Sequence, residues 1–572
     1  MRRIAEAKHR VVILGGGFGG VYAAKYLTSI LGKRKDVHVE LLSEENYFVF
    51  QPLLPEVAAG GINPNHVVNP IRDIVPDAQF RWCKIQEIDC DNKVVRVAQG
   101  EGRELVEVHY DHLVMGLGKV SDFSAMPGVT EHSLAMKDLG DAFRLRNHVY
   151  RCLELADVED NAAEKQALLT FVVAGGGFSG VETIGELSEM LHKVLHAFHN
   201  IEVSEVRLIL VHSRGTLLPE MKPDLGKAAE EILRKRKLEI VFNARVRAAT
   251  RHAVYLSTGQ VLATRTFICT VGNGANPVVK ATLQRYGFVE GKSRGKGVGV
   301  FEADLTLACT GKPGYWAVGD CAGVPDPYGD DLCPATAQFA IRQAKTCAYN
   351  IVATIDGRPL KKFNFKNLGM LASLGRRSAV ADMMGIRFSG FLAWFAWRTV
   401  YLSKLPGFVR KLRVALDWTL DLFFPRDITQ IQTIKASQLR VDHYEPGEII
   451  IAKYEIGREL FIVKHGEVEV FDPATDGQAE RIIATCKKGE VFGEKALLDD
   501  TPRLASVRAA TAVDVLVMSR EDFVALVNQF PVLDEYFDRL MRERFPGALS
   551  DHKPLLEHMA RPVTMPGMKK AG

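Results

Sequence analysis

The chain has 572 residues, a formal net charge of +4, and a composition of 47% hydrophobic and 25% charged residues. This length exceeds what one hydrophobic core organises, and at roughly 150 residues per domain it predicts three or four units. So small a net charge gives no reason to expect a nucleic-acid partner. The nine cysteines are scattered singly, without CxxC pairs or zinc-ligand spacing, which predicts free thiols in a reducing cytoplasm and no metal site.

The N-terminus and the hydropathy pattern predict neither a cleaved leader nor a membrane-spanning helix. Residues 1–10 are basic, but they lead into a strand-like run and glycines rather than into the apolar stretch of a signal peptide. No run of about eighteen uncharged apolar residues occurs along the chain.

A glycine-rich loop follows the first predicted strand, residues 11–14. Glycines stand at Gly15, Gly17 and Gly20, and helix-forming residues come next. In a dinucleotide-binding unit the first glycine permits the turn, the second lets the backbone approach the phosphates, and the third lets helix and strand pack. The free N–H groups and the helix dipole favour the pyrophosphate there. A purely structural glycine turn has the same spacing, so the loop alone does not decide between the two.

A second loop with the same spacing follows the apolar residues 168–174. Its glycines are Gly175, Gly177 and Gly180, and again a strand precedes them and a helix follows. Two such loops predict an α/β chain with two Rossmann-like dinucleotide-binding domains. The residues alone do not assign a nucleotide to either domain.

Three further segments closely resemble type II NADH:quinone oxidoreductases, which are FAD enzymes. They are residues 46–60 with Gln51, the apolar strand 113–118 preceded by Tyr110 and Asp111, and residues 315–322 with the Gly-Asp320 motif. The resemblance covers residues 8–427. It implies FAD on the first loop, with Asp320 at the ribityl and phosphate region, and a nicotinamide nucleotide on the second loop.

The resemblance also implies a role for Glu182, two residues beyond the last glycine of the second loop. The family places an acidic residue there, near the nicotinamide and the flavin. The alternative is a carboxylate in the first turn of a helix, where the dipole favours it.

The residues after the second strand of each dinucleotide-binding domain predict how the ribose of the bound nucleotide is recognised. Residues 37–42 end at Ser43, and Glu44 is the predicted ribose ligand. Residues 206–211 end at His212 and Arg214, where NADH-specific members of the family carry an acidic residue. Since an arginine pairs with a 2′-phosphate that a carboxylate would repel, we hypothesise that NADPH is accepted beside NADH.

A predicted helix, residues 334–344, resembles the family's quinone-site motif Ala-Gln-x-Ala-x-Gln. Arg342 replaces the second glutamine, and Gln343 is adjacent. Gln338 and Arg342 lie about 40° apart on a helix, whereas Gln343 is turned about 140° from Gln338. We therefore expect Gln338 and Arg342 to face the quinone; a polar flavin-facing helix without quinone contact is the alternative.

Aromatic and basic residues concentrate in 388–402 and 409–424. Helices with Trp and Phe on one side and Arg and Lys on the other can lie in a membrane interface, where aromatic rings suit the headgroup level and cations suit anionic lipid. We expect peripheral attachment to the cytoplasmic face of the cell membrane. A homodimer or domain interface is the alternative.

A different module begins near residue 428, with short strands separated by glycines that predict a β-roll or barrel. Residues 492–507 resemble the phosphate-binding cassette of cyclic-nucleotide-binding domains. The predicted ligand-binding residues are Gly493, Glu494, Arg503 and Ser506. A short helix after Gly493 would receive the cyclic phosphate, Arg503 would pair with its charge, and Glu494 would accept from the ribose 2′-hydroxyl.

The sequence thus predicts six segments: an FAD domain in two parts (8–120 and 300–386) around an NAD(P)H domain (121–299), membrane-interface helices (387–427), a cyclic-nucleotide-binding-like domain (428–545) and a flexible tail (546–572). The predicted activity is FAD-dependent oxidation of NADH, with NADPH as a further donor, and two-electron reduction of a membrane quinone without proton pumping. Regulation by cAMP or cGMP is the further hypothesis. The rivals are a sulfide:quinone oxidoreductase, for which Cys333 would need a redox partner, and a membrane-anchored nucleotide sensor with a non-catalytic flavoprotein.

Overall fold

The structure, a computed structural model, describes residues 7–100, 104–250, 252–293, 296–429, 439–444, 446–455, 459–474, 479–494, 503–529, 536–537 and 539–540. The chain divides into two compact units, residues 1–430 and 431–572. Each unit is described by itself. The predicted tail, residues 546–572, lies outside the described residues.

The first unit alternates strands and helices. Its strands are β1 (His9–Leu14), β2 (Val37–Ser43), β3 (Tyr47–Val49), β4 (Val68–Pro70), β5 (Gln79–Trp82), β6 (Lys84–Asp89), β7 (Val94–Gln99), β8 (Glu104–His109), β9 (His112–Met115), β10 (Lys119–Ser121), β11 (Thr170–Ala174), β12 (Arg207–Val211), β13 (Glu239–Val241), β14 (Val246–Ala249), β15 (Ala253–Leu256), β16 (Val261–Ala263), β17 (Thr266–Cys269), β18 (Asn273–Ala275), β19 (Glu290–Ser293), β20 (Lys296–Glu302), β21 (Tyr315–Ala317), β22 (Ala322–Gly323), β23 (Gly369–Ser373), β24 (Ala379–Met383) and β25 (Ile386–Gly390). Its helices are α1 (Phe18–Leu31), α2 (Leu54–Ala58), α3 (Ile71–Ile74), α4 (Val129–His132), α5 (Leu139–Asp157), α6 (Ala162–Leu168), α7 (Phe178–Val194), α8 (Pro223–Lys235), α9 (Pro277–Tyr286), α10 (Ala337–Ile355), α11 (Phe391–Lys404) and α12 (Phe408–Phe423).

A five-stranded parallel sheet forms the first dinucleotide-binding fold, in the order β21-β9-β1-β2-β5. Strands β1 and β9 are buried because helices cover the sheet, which explains their uninterrupted apolar runs. Strand β21 comes from residues 315–317, about two hundred positions after β9 in the chain, and it pairs with β9 from Tyr315 against Leu113 onward. The first fold is therefore completed only by the returning chain.

The second dinucleotide-binding fold is a four-stranded parallel sheet, in the order β13-β12-β11-β17. Helix α7 leaves the end of β11 as α1 leaves the end of β1, with a glycine before each helix. The sheets and loops of the first unit thus form the two dinucleotide-binding domains that the sequence predicts. Strand β20 runs across the boundary predicted between residues 299 and 300.

Two helices end the first unit, close to the predicted interfacial segments. Residues 387–390, predicted as the start of the interfacial helices, instead belong to β25 (Ile386–Gly390), which pairs with β24; the helix begins at Phe391. The three tryptophans of this region, Trp394, Trp397 and Trp418, are buried against the body of the unit. The prediction that Trp and Phe share the membrane-facing side was therefore wrong, and the ring nitrogens of Trp397 and Trp418 donate to buried carboxyls.

The second unit is built from two four-stranded antiparallel sheets, in the orders β26-β33-β28-β31 and β27-β32-β29-β30. The elements are β26 (Leu439–Tyr444), β27 (Ile449–Ile451), β28 (Glu459–His465), β29 (Val468–Asp472), β30 (Arg481–Cys486), β31 (Val491–Phe492), β32 (Ser506–Ala509), β33 (Val513–Ser519) and α13 (Arg520–Gln529). Side chains from both sheets share one core, as in a β-roll. The helix predicted after Gly493 falls in residues 495–502, outside the described part of the chain.

Candidate functional site

The first glycine loop is closed on one side by backbone and open on the other. Gly15 has a φ of 102°, and a Cβ on Gly20 would lie 1.9 Å from the Gly15 carbonyl oxygen. A Cβ on Gly17 would meet no atom within 4 Å. The loop therefore packs tightly onto its own strand while Gly17, at the N-terminus of α1, leaves space in front of the helix for a phosphate group.

The second glycine loop repeats this construction. Gly175 has a φ of 120°, and a Cβ on Gly180 would lie 1.8 Å from the Gly175 carbonyl oxygen. The nearest atom to a Cβ on Gly177 would be a Glu220 carboxylate oxygen, at 3.6 Å. Each loop thus presents the start of a helix at the end of a parallel strand, the arrangement that holds a pyrophosphate. The space in front of Gly17 is open, whereas the Glu220 carboxylate lies in front of Gly177.

The strand ends beside these loops carry different side chains. Ser43 ends β2, and its Oγ accepts a hydrogen bond from the Glu45 N–H at 3.2 Å, while Glu44 is exposed. At the end of β12, the Gly176 N–H donates to His212 Nδ1 at 3.0 Å, so this histidine fastens the second loop. Burial lowers the pKa of His212, which keeps the ring neutral and Nδ1 available as an acceptor. Arg214 is exposed two residues further on.

Asp320 faces a cavity of about 230 Å³ just beyond β21. Burial raises the pKa of its carboxyl, and Lys137 and Lys119 oppose that shift by their charge. The Gln51 amide donates to the Lys137 carbonyl at 3.4 Å, so two of the predicted cofactor-binding residues, Gln51 and Asp320, are connected through one lysine. Residues that line this cavity include Lys119, Gly319, Pro334, Thr336 and Gln343.

Helix α10 places Gln338 and Arg342 on one face and Gln343 on another, as its periodicity predicts. Gln338 donates to Asn367 Oδ1 at 2.8 Å and to the Gly369 carbonyl at 3.3 Å. Arg342 donates to the Gln338 carbonyl at 3.0 Å, and its guanidinium lies 4.0 Å from the centre of the Phe365 ring. Gln343 is buried on another face, where it accepts from the Gly319 N–H at 2.9 Å. Gln343 therefore stabilises the turn at Gly319 and Asp320 and does not lie on the same surface as Gln338.

Glu182 is buried below the C-terminal helices of the first unit. Its Oε1 accepts from the Ser373 N–H at 3.1 Å and from Trp397 Nε1 at 3.3 Å. Burial raises its pKa to about 8, despite those two donors. The alternative of a carboxylate in the first turn of a helix does not describe this residue, because Glu182 is the fifth residue of α7 and lies beyond its first turn. It is also only 8% exposed. That Glu182 lies near a bound nicotinamide and flavin stays a prediction.

Two further buried carboxyls accompany Glu182, and we call Glu56, Glu182 and Glu186 the buried carboxyl cluster. Glu186 lies one helical turn after Glu182 and accepts from Ser373 Oγ at 2.9 Å. Glu56 on α2 accepts a hydrogen bond from Trp418 Nε1. The sequence analysis did not identify Glu56 or Glu186; the available signal for Glu186 was a second glutamate four residues after Glu182, on the same face of the helix.

A group of ion-paired side chains lies beside the buried carboxyl cluster. Asp421 forms a bidentate salt bridge with Arg426, at 2.9 and 3.3 Å, and a second salt bridge with Lys193 at 2.7 Å. Lys193 also pairs with Glu189 at 3.3 Å. Arg426 donates in addition to the Ala59 carbonyl at 2.8 Å, which fixes the segment after α12 onto the segment after α2.

Helices α11 and α12 enclose an apolar groove of about 830 Å³. Its lining includes Trp394, Trp418 and Arg398, and the Arg398 guanidinium lies 4.2 and 4.6 Å from the two indole rings. The outward surface of the two helices carries an apolar patch, whose exposed members are Phe391, Leu392, Phe395, Phe408, Val409, Leu412, Leu416, Leu420, Leu422 and Phe423.

In the second unit, Arg503 and Gly493 lie in contact. Arg503 donates to the Gly493 carbonyl at 2.6 Å and to the Glu459 carbonyl at 2.8 Å. Ser506 Oγ accepts from the Lys453 N–H at 3.0 Å, and Glu494 is buried. The structure therefore brings Arg503 to Gly493 at the predicted cassette, whose middle residues, 495–502, are not described.

The fold and these loops define a flavoprotein oxidoreductase with two dinucleotide-binding domains. The chain matches the family model for pyridine nucleotide-disulphide oxidoreductases over residues 9–344, the NDH2 C-terminal domain over 367–427 and the cyclic nucleotide-binding domain over 441–530. It is 31% identical over 428 residues to the type II NADH:quinone oxidoreductase Ndh of Mycobacterium tuberculosis, covering 73% of this chain and 89% of that protein. The chain belongs to the type II NADH:quinone oxidoreductase family, and it is an oxidoreductase.

Other relatives and a solved structure agree with this assignment. The chain is 26% identical to the external alternative NADH-ubiquinone oxidoreductase of Yarrowia lipolytica mitochondria, over 74% of this chain and 81% of that protein. The structure of NDH2 from Plasmodium falciparum in complex with NADH aligns with a TM-score of 0.67 at 18% identity, covering 74% of this chain and 100% of that chain. At this identity the structural likeness supports the fold, which agrees with the predicted two-domain flavoprotein.

The described residues contain neither a membrane-spanning helix nor a cluster of metal ligands. Within them, every helix is too short or too polar to cross a bilayer. Over the same ranges, histidine, cysteine, aspartate and glutamate do not gather into a group that could hold a metal ion. All nine cysteines are free thiols, and burial raises the pKa of Cys333 to about 12.

Proposed function

We propose that this chain oxidises NADH with a bound FAD and reduces a membrane quinone. The observation that supports this most directly is the pair of complete glycine loops, together with an acidic residue, Asp320, that the returning chain adds beside the first sheet. Bound FAD supplies the redox chemistry, accepting a hydride equivalent from the nicotinamide and delivering two electrons to the quinone. The protein binds and orients these partners.

The residues of the first domain fit an FAD. The open space in front of Gly17 admits a pyrophosphate, which the N-terminus of α1 favours by its free N–H groups. Asp320 would accept hydrogen bonds from the ribityl region, and Lys119 and Lys137 keep positive charge near the phosphates. Glu44 is the proposed ribose ligand, and Gln51, which donates to the Lys137 carbonyl, is a further proposed FAD-binding residue.

On the second domain we propose a nicotinamide nucleotide, and the residues there do not exclude a 2′-phosphate. His212 is committed to the loop through Gly176, so Arg214 is the group beyond β12 that can pair with an anion. NADPH is therefore a proposed second donor. Gln338 and Arg342 are the proposed quinone-facing residues, and the apolar face of α11 and α12 attaches the protein to the cytoplasmic surface of the membrane as a peripheral protein.

The experiment that tests this function is anaerobic bleaching of the purified flavoprotein by NADH and, in parallel, by NADPH, followed by reoxidation with a short-chain quinone. We expect NADH to bleach the flavin and the quinone to restore its colour. The variant Arg214→Ala should lose bleaching by NADPH and keep bleaching by NADH, while Arg247→Ala serves as a matched surface arginine. A flavin that neither nucleotide reduces, or a colourless protein, would overturn the proposal.

We further propose that the second unit binds cAMP or cGMP at Gly493, Glu494, Arg503 and Ser506 and thereby alters quinone reduction. Arg503 is buried, and among the described residues its Nε has no hydrogen-bond partner, so a cyclic phosphate would complete its contacts. Calorimetric titration of the full chain should show binding that Arg503→Gln abolishes and Arg508→Gln retains. Unchanged quinone reduction at saturating nucleotide would leave binding without regulation.

A further inference from the structure

The second dinucleotide-binding domain has no acidic residue at the end of its second strand. A carboxylate at that position commonly accepts a hydrogen bond from the adenosine ribose. Here β12 ends at Val211, and His212 and Ser213 follow. His212 does not replace the acid: its Nδ1 accepts from the Gly176 N–H, which leaves Nε2 of the neutral ring as a donor. The ribose of a nucleotide on this domain therefore needs an acceptor from elsewhere in the chain.

Glu220 places a carboxylate directly in front of the second glycine loop. A Cβ on Gly177 would lie 3.6 and 4.0 Å from the two carboxylate oxygens of Glu220. Gly177 stands immediately before the first residue of α7, so the carboxylate lies beside the position that favours a pyrophosphate. The first loop has no such group, because a Cβ on Gly17 would meet no atom within 4 Å. The carboxylate thus distinguishes the second loop from the first.

The backbone that carries Glu220 is fixed to the glycine loop. The Leu218 N–H donates to the Gly176 carbonyl at 2.7 Å, and the Met221 N–H donates to the Leu218 carbonyl at 2.8 Å. Leu218 has a φ of 48°, in the left-handed region that leucine rarely adopts. Its side chain is buried, as are those of Leu217 and Met221. These contacts hold a strained turn whose conformation delivers Glu220 to the loop.

The Glu220 carboxylate is available to a ligand. Glu220 is exposed, and within the ranges that the structure describes no lysine, arginine or histidine forms a salt bridge with it. Over the same ranges, no N–H group at the start of α7 donates to Glu220. Those N–H groups therefore stay available to a pyrophosphate, and the carboxylate stands beside them with both oxygens open.

The adenosine ribose is the part of the nucleotide that fits this position. The ribose is joined to the pyrophosphate through its 5′ carbon, so a pyrophosphate at the start of α7 keeps the ribose hydroxyls close to the loop. The 2′- and 3′-hydroxyls are neighbouring donors, and a carboxylate offers them two acceptor oxygens. A 2′-phosphate in the same place would bring two negative charges together, which is unfavourable.

We propose that Glu220 is the ribose ligand of the second domain and the residue that makes NADH the preferred donor. The proposal rests on the function proposed above and refines it. Arg214 attracts the 2′-phosphate of NADPH, whereas Glu220 repels it and binds the free hydroxyls of NADH. The two residues therefore act in opposite directions on the choice of donor, and NADPH is the weaker of the two.

The kinetic test compares the full-length holoenzyme with Glu220→Gln and with Glu231→Gln, an exposed glutamate of α8 in the same domain. Anaerobic stopped-flow measures the second-order rate constants for flavin bleaching by NADH and by NADPH. Loss of the charge should lower the constant for NADH and raise that for NADPH, so their ratio should fall by about tenfold or more. Reoxidation by a short-chain quinone should stay within about twofold of the parent. Glu231→Gln should match the parent throughout.

Binding without turnover separates ribose recognition from general repulsion of anions. Calorimetric titration of the oxidised holoenzyme should show ADP binding about threefold or more tighter than 2′-deoxy-ADP. In Glu220→Ala the two ligands should bind equally, and adenosine 2′,5′-bisphosphate should bind more tightly than it does to the parent.

Two results would overturn the role of Glu220. One is a parent that binds ADP and 2′-deoxy-ADP equally. The other is an equal acceleration of bleaching by NADH and NADPH in Glu220→Gln, since the carboxylate would then only repel the pyrophosphate. If NADH does not bleach the parent, the function proposed above fails, while the comparison of ADP with 2′-deoxy-ADP still decides whether Glu220 binds the ribose.

Discussion

Individual glycines divide the work of the first loop between packing and binding. Gly20 has no room for a side chain because the Gly15 carbonyl occupies the position, whereas Gly17 faces open space. The sequence motif predicts this division of roles without its physical cost. The structure assigns them different physical costs on substitution.

Substitution of these two glycines should give different defects. Gly20→Ala forces backbone apart and should destabilise the protein by on the order of 3 kcal/mol, with loss of retained flavin. Gly17→Ala should leave the melting temperature unchanged and weaken flavin retention alone, because its methyl group would occupy the space for the phosphate. Thermal melts and the flavin-to-protein absorbance ratio of both variants measure this. Equal melting defects in the two variants would contradict the assignment.

The buried acids predict a dependence of stability on pH. The pKa values of Glu182 and Glu186 are raised from 4.5 to about 8, so the folded protein binds more protons than the unfolded chain between these values. Their stabilising contribution is complete below pH 4.5 and is lost as the pH rises to about 8. The loss is at most about 1.4 kcal/mol per pH unit for each group.

Denaturation of the parent and of Glu186→Gln between pH 6 and pH 9 checks this sign. The free energy of unfolding of the parent should fall as the pH rises through about 8, and it should fall less steeply in Glu186→Gln. Glu56, whose pKa burial also raises, contributes a slope of the same sign in both proteins. A free energy of unfolding that rises with pH in this window is the contrary result.

A site residue could be predicted from the sequence where local backbone geometry places it, and could not where a contact with a residue distant in the chain places it. Gly15, Gly17 and Gly20 obey local turn geometry, and the divergence of Gln338 and Gln343 follows from helical periodicity alone. Glu186 could not be selected in this way, because its burial depends on Ser373, 187 positions away in the chain. His212 was predicted near the nucleotide, but its bond to the Gly176 N–H is a tertiary contact that no local pattern indicates.

At the scale of elements, helices α11 and α12 present phenylalanine and leucine outward and tryptophan inward. Local amphipathicity predicts a membrane-facing helix pair but does not decide which aromatic residues face outward. Trp397 and Trp418 turn inward because they donate to Glu182 and Glu56, which are buried and would otherwise lack these donors. The acids are supplied by α7 and α2, so the orientation depends on elements distant in sequence.

The outward apolar face should determine membrane attachment. Replacing Leu412 and Leu416 together by Gln removes apolar surface that is at least half exposed, and it should lower binding to vesicles of mixed zwitterionic and anionic lipid by about tenfold. Turnover with a short-chain quinone in detergent should stay within about twofold of the parent. Leu105→Gln, an exposed leucine of β8, is the matched control. Vesicle flotation that does not change in the double variant would contradict this role.

At the scale of the whole molecule, the two units have separate cores. The larger core of the first unit extends from β1 to α12, and a smaller cluster of the same unit lies around β11, β12 and β14 to β17. The core of the second unit is formed by the sheets of residues 439–519. Composition and strand patterning predicted the change of module near residue 428, because the pattern changes there from alternating strands and helices to short strands with glycine turns. The course of residues 430–438 lies outside the described residues.

Truncation after residue 430 should leave the first unit folded and active. This end keeps Arg426 and Asp427, whose backbone and side chain fasten the last segment to α2 and α5. We expect full flavin retention and turnover with NADH and short-chain quinone within about twofold of the parent without nucleotide. Any response to cAMP or cGMP should disappear. Truncation after residue 420 is the comparison, because it removes Asp421 and Arg426 and should lower the melting temperature.

The late arrival of strand β21 in the first sheet has a consequence for biosynthesis. Strand β9 lies between β1 and β21, and β21 is followed at once by Asp320, so a ribosome must release more than half of the chain before the first domain can close. Until then β9 is an uncovered sheet edge, while the second domain, β11 to β17, is already complete and free to fold. Nascent chains arrested before residue 315 should therefore require chaperone protection and hold no flavin, and loading of the cofactor becomes one of the last steps in the maturation of the enzyme.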